Sequence, residues 1–110
     1  MMISGRQQNG VEIVMLSGCF IKSDAPSARR YLSQVIANNA KLIIDMSAVT
    51  YIDVSACAAI VFALQAMQAR SGKLLLVTNA LVQSFIELTR LHSIFDIVPS
   101  VDHGLLELAH

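Results

Sequence analysis

Lys41-Leu42-Ile43-Ile44-Asp45-Met46 is a short, almost unbroken apolar run. A run of that length with no polar alternation reads as a central strand covered on both faces. Farther along, Lys73-Leu74-Leu75-Leu76-Val77-Thr78 repeats the pattern. Between the two, Tyr51-Ile52-Asp53 follows a short loop and leads into a helix from Val54 to about Arg70, with Ser71-Gly72 as its C-terminal stop. A strand, a helix and a strand in that order form a βαβ crossover, which requires parallel pairing. Upstream, Val11–Phe20 is rich in Val, Ile and Leu, with Gly18 suggesting a turn or bend. It reads as one long strand or a strand pair approached by Arg6–Gly10. Ser23-Asp24-Ala25-Pro26 is a helix start, since proline is tolerated in the first turn and Ser or Asp can cap it. That helix places Ala28, Tyr31, Leu32, Val35 and Ile36 on one side and Arg29, Arg30, Ser33 and Gln34 on the other, and Asn38-Asn39 ends it. Asn79 is the N-cap of a third helix over Ala80–Leu91, with Leu81, Val82, Phe85, Ile86 and Thr89 inward. Ile94–Val98 supplies a last strand, and Pro99-Ser100 opens a terminal helix using Leu105, Leu106 and Ala109. The expected fold is α/β: a four- to five-stranded mixed sheet, both apolar runs central, with about four helices and any antiparallel pairing at the N-terminal edge.

The chain has 110 residues, a length that fits one domain, residues 1–110, and can bury one core without metal or disulfide staples. Hydrophobic residues make up 55% and charged residues 15%, which excludes a disordered, charge-solvated chain. Eight basic residues balance eight acidic ones. A nucleic-acid binder or a polybasic membrane anchor would carry a basic excess, so neither class is expected. So few charges leave a poorly solvated surface of the kind another protein covers. Cys19 and Cys57 belong to no ligand-spaced pair and read as two small buried thiols of a reduced, cytoplasmic protein. Met1–Gly10 is polar and lacks the layout of a signal peptide. The longest apolar stretch, Val54–Met67, is interrupted by Ser55 and Gln65 and bracketed by Asp53 and Arg70. It falls short of the roughly 18–20 residues a membrane span needs, so no direct membrane insertion is expected.

Catalytic and cofactor signals are missing. His92, His103 and His110 fit no zinc-ligand spacing and read as surface or helix-end residues. Neither GxGxxG nor GxxxxGK[ST] occurs, so dinucleotide and P-loop chemistry have no basis. Ser47 and Ser55 have no histidine nearby and GxSxG is absent, so a nucleophile elbow is unsupported. The expectation is a protein that is not an enzyme and uses no metal and no cofactor.

The informative segment is Asp45–Ala58. Asp53 stands immediately before the apolar helix, placed to accept from its first free N–H groups. Asp45 reads as a solvated acid at a strand end. A strand-to-helix junction of this kind also displays hydroxyls where a helix N-terminus tolerates phosphate.

This segment resembles the STAS family, the sulfate-transporter and anti-sigma-factor-antagonist domain. Asp45, Met46 and Ser47 are similar to the opening of the family pattern, and Val49, Tyr51, Ile52 and Asp53 to its middle. The order of elements over about residues 11–108, with Ser17-Gly18 after the first strands, is similar too. The resemblance implies that the residue after Asp53 is the phosphoacceptor position of regulated antagonists, and here it is Val54, which carries no hydroxyl. Ser55, one residue later and about 100° around the helix, is the possible substitute. Ala56 and Ala58 stand where the family has glycines, favouring helix and reducing backbone freedom, and Cys19-Phe20-Ile21 replaces acids often found there.

Along the helix, Ala56, Ala59, Ile60, Ala63, Leu64 and Met67 form one apolar face, sufficient to dock on the sheet. Ala58, Phe62, Ala66 and Ala69 form a second stripe, which is either covered by neighbouring helices or open to a partner. With the resemblance, Asp53, Ser55, Ala58 and Phe62 become the expected partner-binding residues. The leading expectation is a non-enzymatic regulator resembling an anti-sigma-factor antagonist, binding an anti-sigma factor or serine kinase. A second is the small STAS subunit of a lipid-transport ABC complex, with the other transporter subunits as partners. A third is a small-molecule-binding sensor using the sheet edge and the helix start at Val54–Cys57.

Overall fold

The computed structural model describes residues 1–109. In chain order the elements are β1 (Met2–Gln8), β2 (Val11–Phe20), a 3-10 turn (Lys22–Asp24), α1 (Ala25–Asn38), β3 (Lys41–Ile52), α2 (Val54–Ala69), β4 (Lys73–Val77), α3 (Ala80–Leu88), a second 3-10 turn (Leu91–Ser93), β5 (Asp96–Val98) and α4 (Val101–Glu107). The five strands lie side by side in the order β1-β2-β3-β4-β5. β1 is antiparallel to β2, and the other three pairings are parallel. This is the expected mixed α/β sheet with four helices, and both apolar runs are interior strands.

Alternation along the strands divides the core into two layers, because successive side chains leave a sheet on opposite faces. Leu42, Ile44, Leu74 and Leu76 join Leu32 and Ile36 of α1, Ile60 and Met67 of α2, and Val82 and Ile86 of α3. Ile13, Ile43, Leu75 and Val77 face the other way, under Leu105 and Leu108 at α4. Each fully buried Ile or Leu contributes about 1.5–3 kcal/mol of transfer free energy, so the three-helix layer holds most of the stabilisation.

Several local readings are corrected. Arg6–Gly10 is not an approach to a strand: Arg6 lies within β1, and Asn9-Gly10 forms the two-residue hairpin that pairs Gln8 with Val11. Both turn residues have positive φ (54° and 78°), the geometry that makes Asn-Gly a favoured hairpin turn. Gly18 marks an irregularity rather than a turn: it sits inside β2 at φ 81°, next to a register shift, and the strand runs on to Phe20. Ser47–Thr50 is no loop, since β3 runs on to Ile52. At the C-terminal end, Leu106 is 73% exposed and Ala109 is exposed; Leu108 is buried in their place. α3 stops at Leu88 rather than Leu91, and Leu81 points outward.

The extension of β3 breaks the two-residue period. Between Asp45 and Ala48, β3 uses one more residue than β2 does between Met15 and Ser17, and the same happens between Val49 and Tyr51. Each extra residue is a bulge that turns the strand's inward face by one position. Met46, Val49 and Ile52 are therefore all buried at a spacing of three, with exposed pairs between them.

Candidate functional site

The bulged half of β3 delivers the chain to the start of α2; β2 pairs with it along one edge, and on the other edge side chains take the place of ladder bonds. β4 pairs with β3 only as far as Asp45↔Val77. Beyond that point the Asn79 Nδ2 donates to the carbonyls of Ser47 (3.1 Å) and Val49 (2.7 Å), while its Oδ1 caps α3 by accepting from the Val82 N–H at 2.8 Å. Asp45 is only 6% exposed, so the solvated strand-end reading is wrong. Its Oδ1 accepts from the Ser47 N–H (3.0 Å) and hydroxyl (2.6 Å), which satisfies an amide next to the first bulge. Asp53 caps α2 as its spacing suggested, with Oδ1 accepting from the Ala56 N–H at 2.9 Å. Its other oxygen accepts from the Lys22 N–H at 2.8 Å, tying the β2–α1 connection to the same point.

The five residues singled out in the sequence do not form one cluster. Val54, the first residue of α2, is 69% exposed. Ser55 is half-buried, and its hydroxyl makes no hydrogen bond among the described residues; Asp53 has taken the capping role. Val54, Ala58 and Phe62, one helical turn apart, line a groove of about 370 Å³ with Cys57 and Val61, facing Phe85, Thr89 and Leu91. The second stripe of α2 is thus only partly covered: Ala58 and Ala69 are exposed, while Phe62 and Ala66 are half-buried. Asp53 and Ser55 stand outside the groove lining.

Several contributors were not evident from sequence. Arg29, read as solvent-facing, lays its guanidinium over the Phe62 ring, 4.5 Å from the centroid, and lines the groove. Tyr51 is 56% exposed and Leu88 83% exposed, and with Leu81 and Ser84 they edge a second hollow of about 310 Å³ that shares Phe85 with the first. The breadth of apolar residues around α3 (Leu81, Val82, Phe85, Ile86, Leu88) exceeds what one buried face needs, and that was the available signal.

The chemistry of the surroundings is simple. Neither α1 nor α2 contains an Asp or Glu. Cys57 is buried, and burial pushes its thiol up to about 11, so it is protonated and unreactive at neutral pH. Cys19 is exposed, against the expectation of two buried thiols, because it sits on β2 beside the bulged half of β3, opposite Tyr51. His92 and His103 are exposed, and His103 faces Glu107 at 3.2 Å. His110 lies outside the described residues. Among the described residues no group of three His, Cys, Asp or Glu side chains comes together to hold a metal, and no helix is long and apolar enough to cross a membrane.

A mixed five-stranded sheet, a capped helix starting at a strand end and an apolar surface around that start define a small α/β domain. The chain belongs to the STAS domain family, whose sequence profile matches residues 2–104. Among solved structures it is similar to an anti-sigma factor antagonist from Mycobacterium paratuberculosis, at 22% identity over 99% of this chain and 94% of that one, with a TM-score of 0.90. It is similar to the Bacillus cell fate determinant SpoIIAA in its phosphorylated form, at 11% identity over 97% and 99% of the two chains, with a TM-score of 0.76. It also resembles a sulfate transporter family protein from Wolinella succinogenes, at 20% identity over 89% and 84%, with a TM-score of 0.78. No curated protein sequence matches the chain.

Proposed function

We propose that this protein is a non-enzymatic, cytoplasmic regulator that works as an anti-sigma-factor antagonist does, by binding an anti-sigma factor or serine kinase. The contact runs through the β3–α2 junction at Asp53, Val54 and Ser55 and continues along Ala58 and Phe62. The observation that carries this reading is the uncovered apolar surface there: Val54 and Leu88, both well exposed, flank two hollows joined at Phe85. Apolar side chains in such a cluster are the material of interface hot spots. Family membership and the likeness to anti-sigma factor antagonists support the partner class. Asp53 serves the contact indirectly, by fixing where α2 begins.

Phosphate is not the switch in this reading, because Val54 has no hydroxyl at the family's acceptor position. Control then lies in how much partner is available. The test is to purify the protein with its partner from the native cell, identify the partner by mass spectrometry and reconstitute the pair from pure components. A kinase or anti-sigma factor whose binding is lost in Val54→Glu and Ala58→Glu supports the reading. Recovery of an ABC permease and ATPase would assign the protein to lipid transport instead. Incubation with the cognate kinase should leave the wild-type intact mass unchanged, whereas Val54→Ser gains one phosphate. Full incorporation into wild type that persists in Ser55→Ala would show the acceptor position to be misassigned.

A further inference from the structure

The groove between α1, α2 and α3 has the size of a small-ligand site, about 370 Å³ against a usual range of roughly 300–1,000 Å³. Its walls are mostly apolar, with Val61, Phe62, Phe85 and Leu91 among them, and no acidic residue lines it. One cation does. Arg29 has no acidic partner among the described residues, and its own helix and α2 offer none. Its guanidinium rests over the Phe62 ring, an arrangement that stabilises the cation through the ring face. A contact with the ring face uses the cation's charge and none of its N–H donors, and a planar fork of donors matches a carboxylate bidentately. A single guanidinium balances one negative charge, not the two of a phosphate monoester.

We propose that this groove binds a small amphipathic monocarboxylate, its aryl or medium-length alkyl body against Phe62, Phe85 and Leu91 and its carboxylate on Arg29. The groove lies within the surface proposed above for the partner, so ligand and partner would share Ala58 and Phe62, but the ligand's chemistry is argued from Arg29 and does not depend on which partner binds. An amine of the same shape is rejected because it meets Arg29 with like charge. A neutral isostere keeps the apolar contacts and loses the charge-assisted pair.

The experiment follows backbone amide shifts by NMR during titration with 3-phenylpropanoate and octanoate, alongside 3-phenylpropanamide and 3-phenylpropylamine. The acids should shift amides in residues 57–62 and 85–91 saturably, with Kd on the order of 0.1–1 mM. The amide should bind about tenfold more weakly, a difference of about 1.4 kcal/mol, and the amine not measurably. Arg29→Gln should bring the acid down to the level of the amide, and Arg29→Lys should retain part of the preference. Ala58→Phe, at an exposed position that accepts a larger side chain, should fill the groove and abolish binding of acid and amide alike. Absence of saturable shifts at roughly 5 mM of either acid, equal affinity for acid and amide, or acid binding unchanged in Arg29→Gln would each overturn the assignment. So would a response only to an acidic peptide, which would give the groove to a protein segment.

Discussion

The two halves of β3 solve the same problem by different means. Within Lys41–Met46, residues 42–45 are paired on both sides, by β2 and β4, and the side chains alternate between two covered faces. Ser47–Ile52 is paired only with β2, bulges twice and buries every third residue. The first half is held by burial and a regular ladder on both edges, the second by an irregular ladder on one edge and by Asp45, Asn79 and Asp53. Side-chain tethers cost the sheet regularity, but they let the strand end at a chosen point and angle. That is what places the start of α2.

The largest effect should come from the regular half. Ile44→Ala, at a fully buried position, should cost about 3–4 kcal/mol of unfolding free energy, measured by denaturant titration. Removing a tether should cost less and act locally. Asp53→Ala loses the α2 cap and the bond to Lys22, about 2 kcal/mol together, and should speed hydrogen exchange at Lys22 and in the first turn of α2. Asn79→Ala should cost about 1.5 kcal/mol and loosen Ser47–Ile52 in hydrogen exchange while leaving Leu42–Ile44 protected. Uniform acceleration along all of β3 would mean that the two halves open together and that the contrast has no energetic meaning. Ser55→Ala should change stability by less than about 0.5 kcal/mol, since its hydroxyl bonds nothing among the described residues and Asp53 already caps the helix.

The same contrast explains what could be read from sequence. Lys41–Met46 was legible because two-sided burial demands an unbroken apolar run. Ser47–Thr50 reads as a loop because the buried residues in and around it, Met46, Val49 and Ile52, do not follow the two-residue strand period. Bulges arise from pairing with β2 and leave no periodic trace. β1 was hidden for another reason: at the sheet edge it needs no apolar face, and only Ile3 among its residues is even half-buried. Its one signal was Asn9-Gly10. The Asp53 cap is local, set by its distance from Ala56, and so was visible. The groove is not local. Arg29 lies in the sequence among solvent-facing residues of α1, and only the packing of α1 against α2 brings it onto Phe62.

The strand order, identical to the order in the chain, has a consequence for biosynthesis. As the polypeptide leaves the ribosome, each new strand finds its neighbour already made, and none must wait for a distant partner. The sheet can grow outward one strand at a time, its three-helix side closing as it grows. The opposite side is finished last. Until Leu105 and Leu108 emerge with α4, Ile13, Ile43, Leu75 and Val77 remain a bare apolar strip. A nascent chain stalled before α4 is therefore the form a chaperone should recognise, and release should coincide with the docking of that final turn of helix.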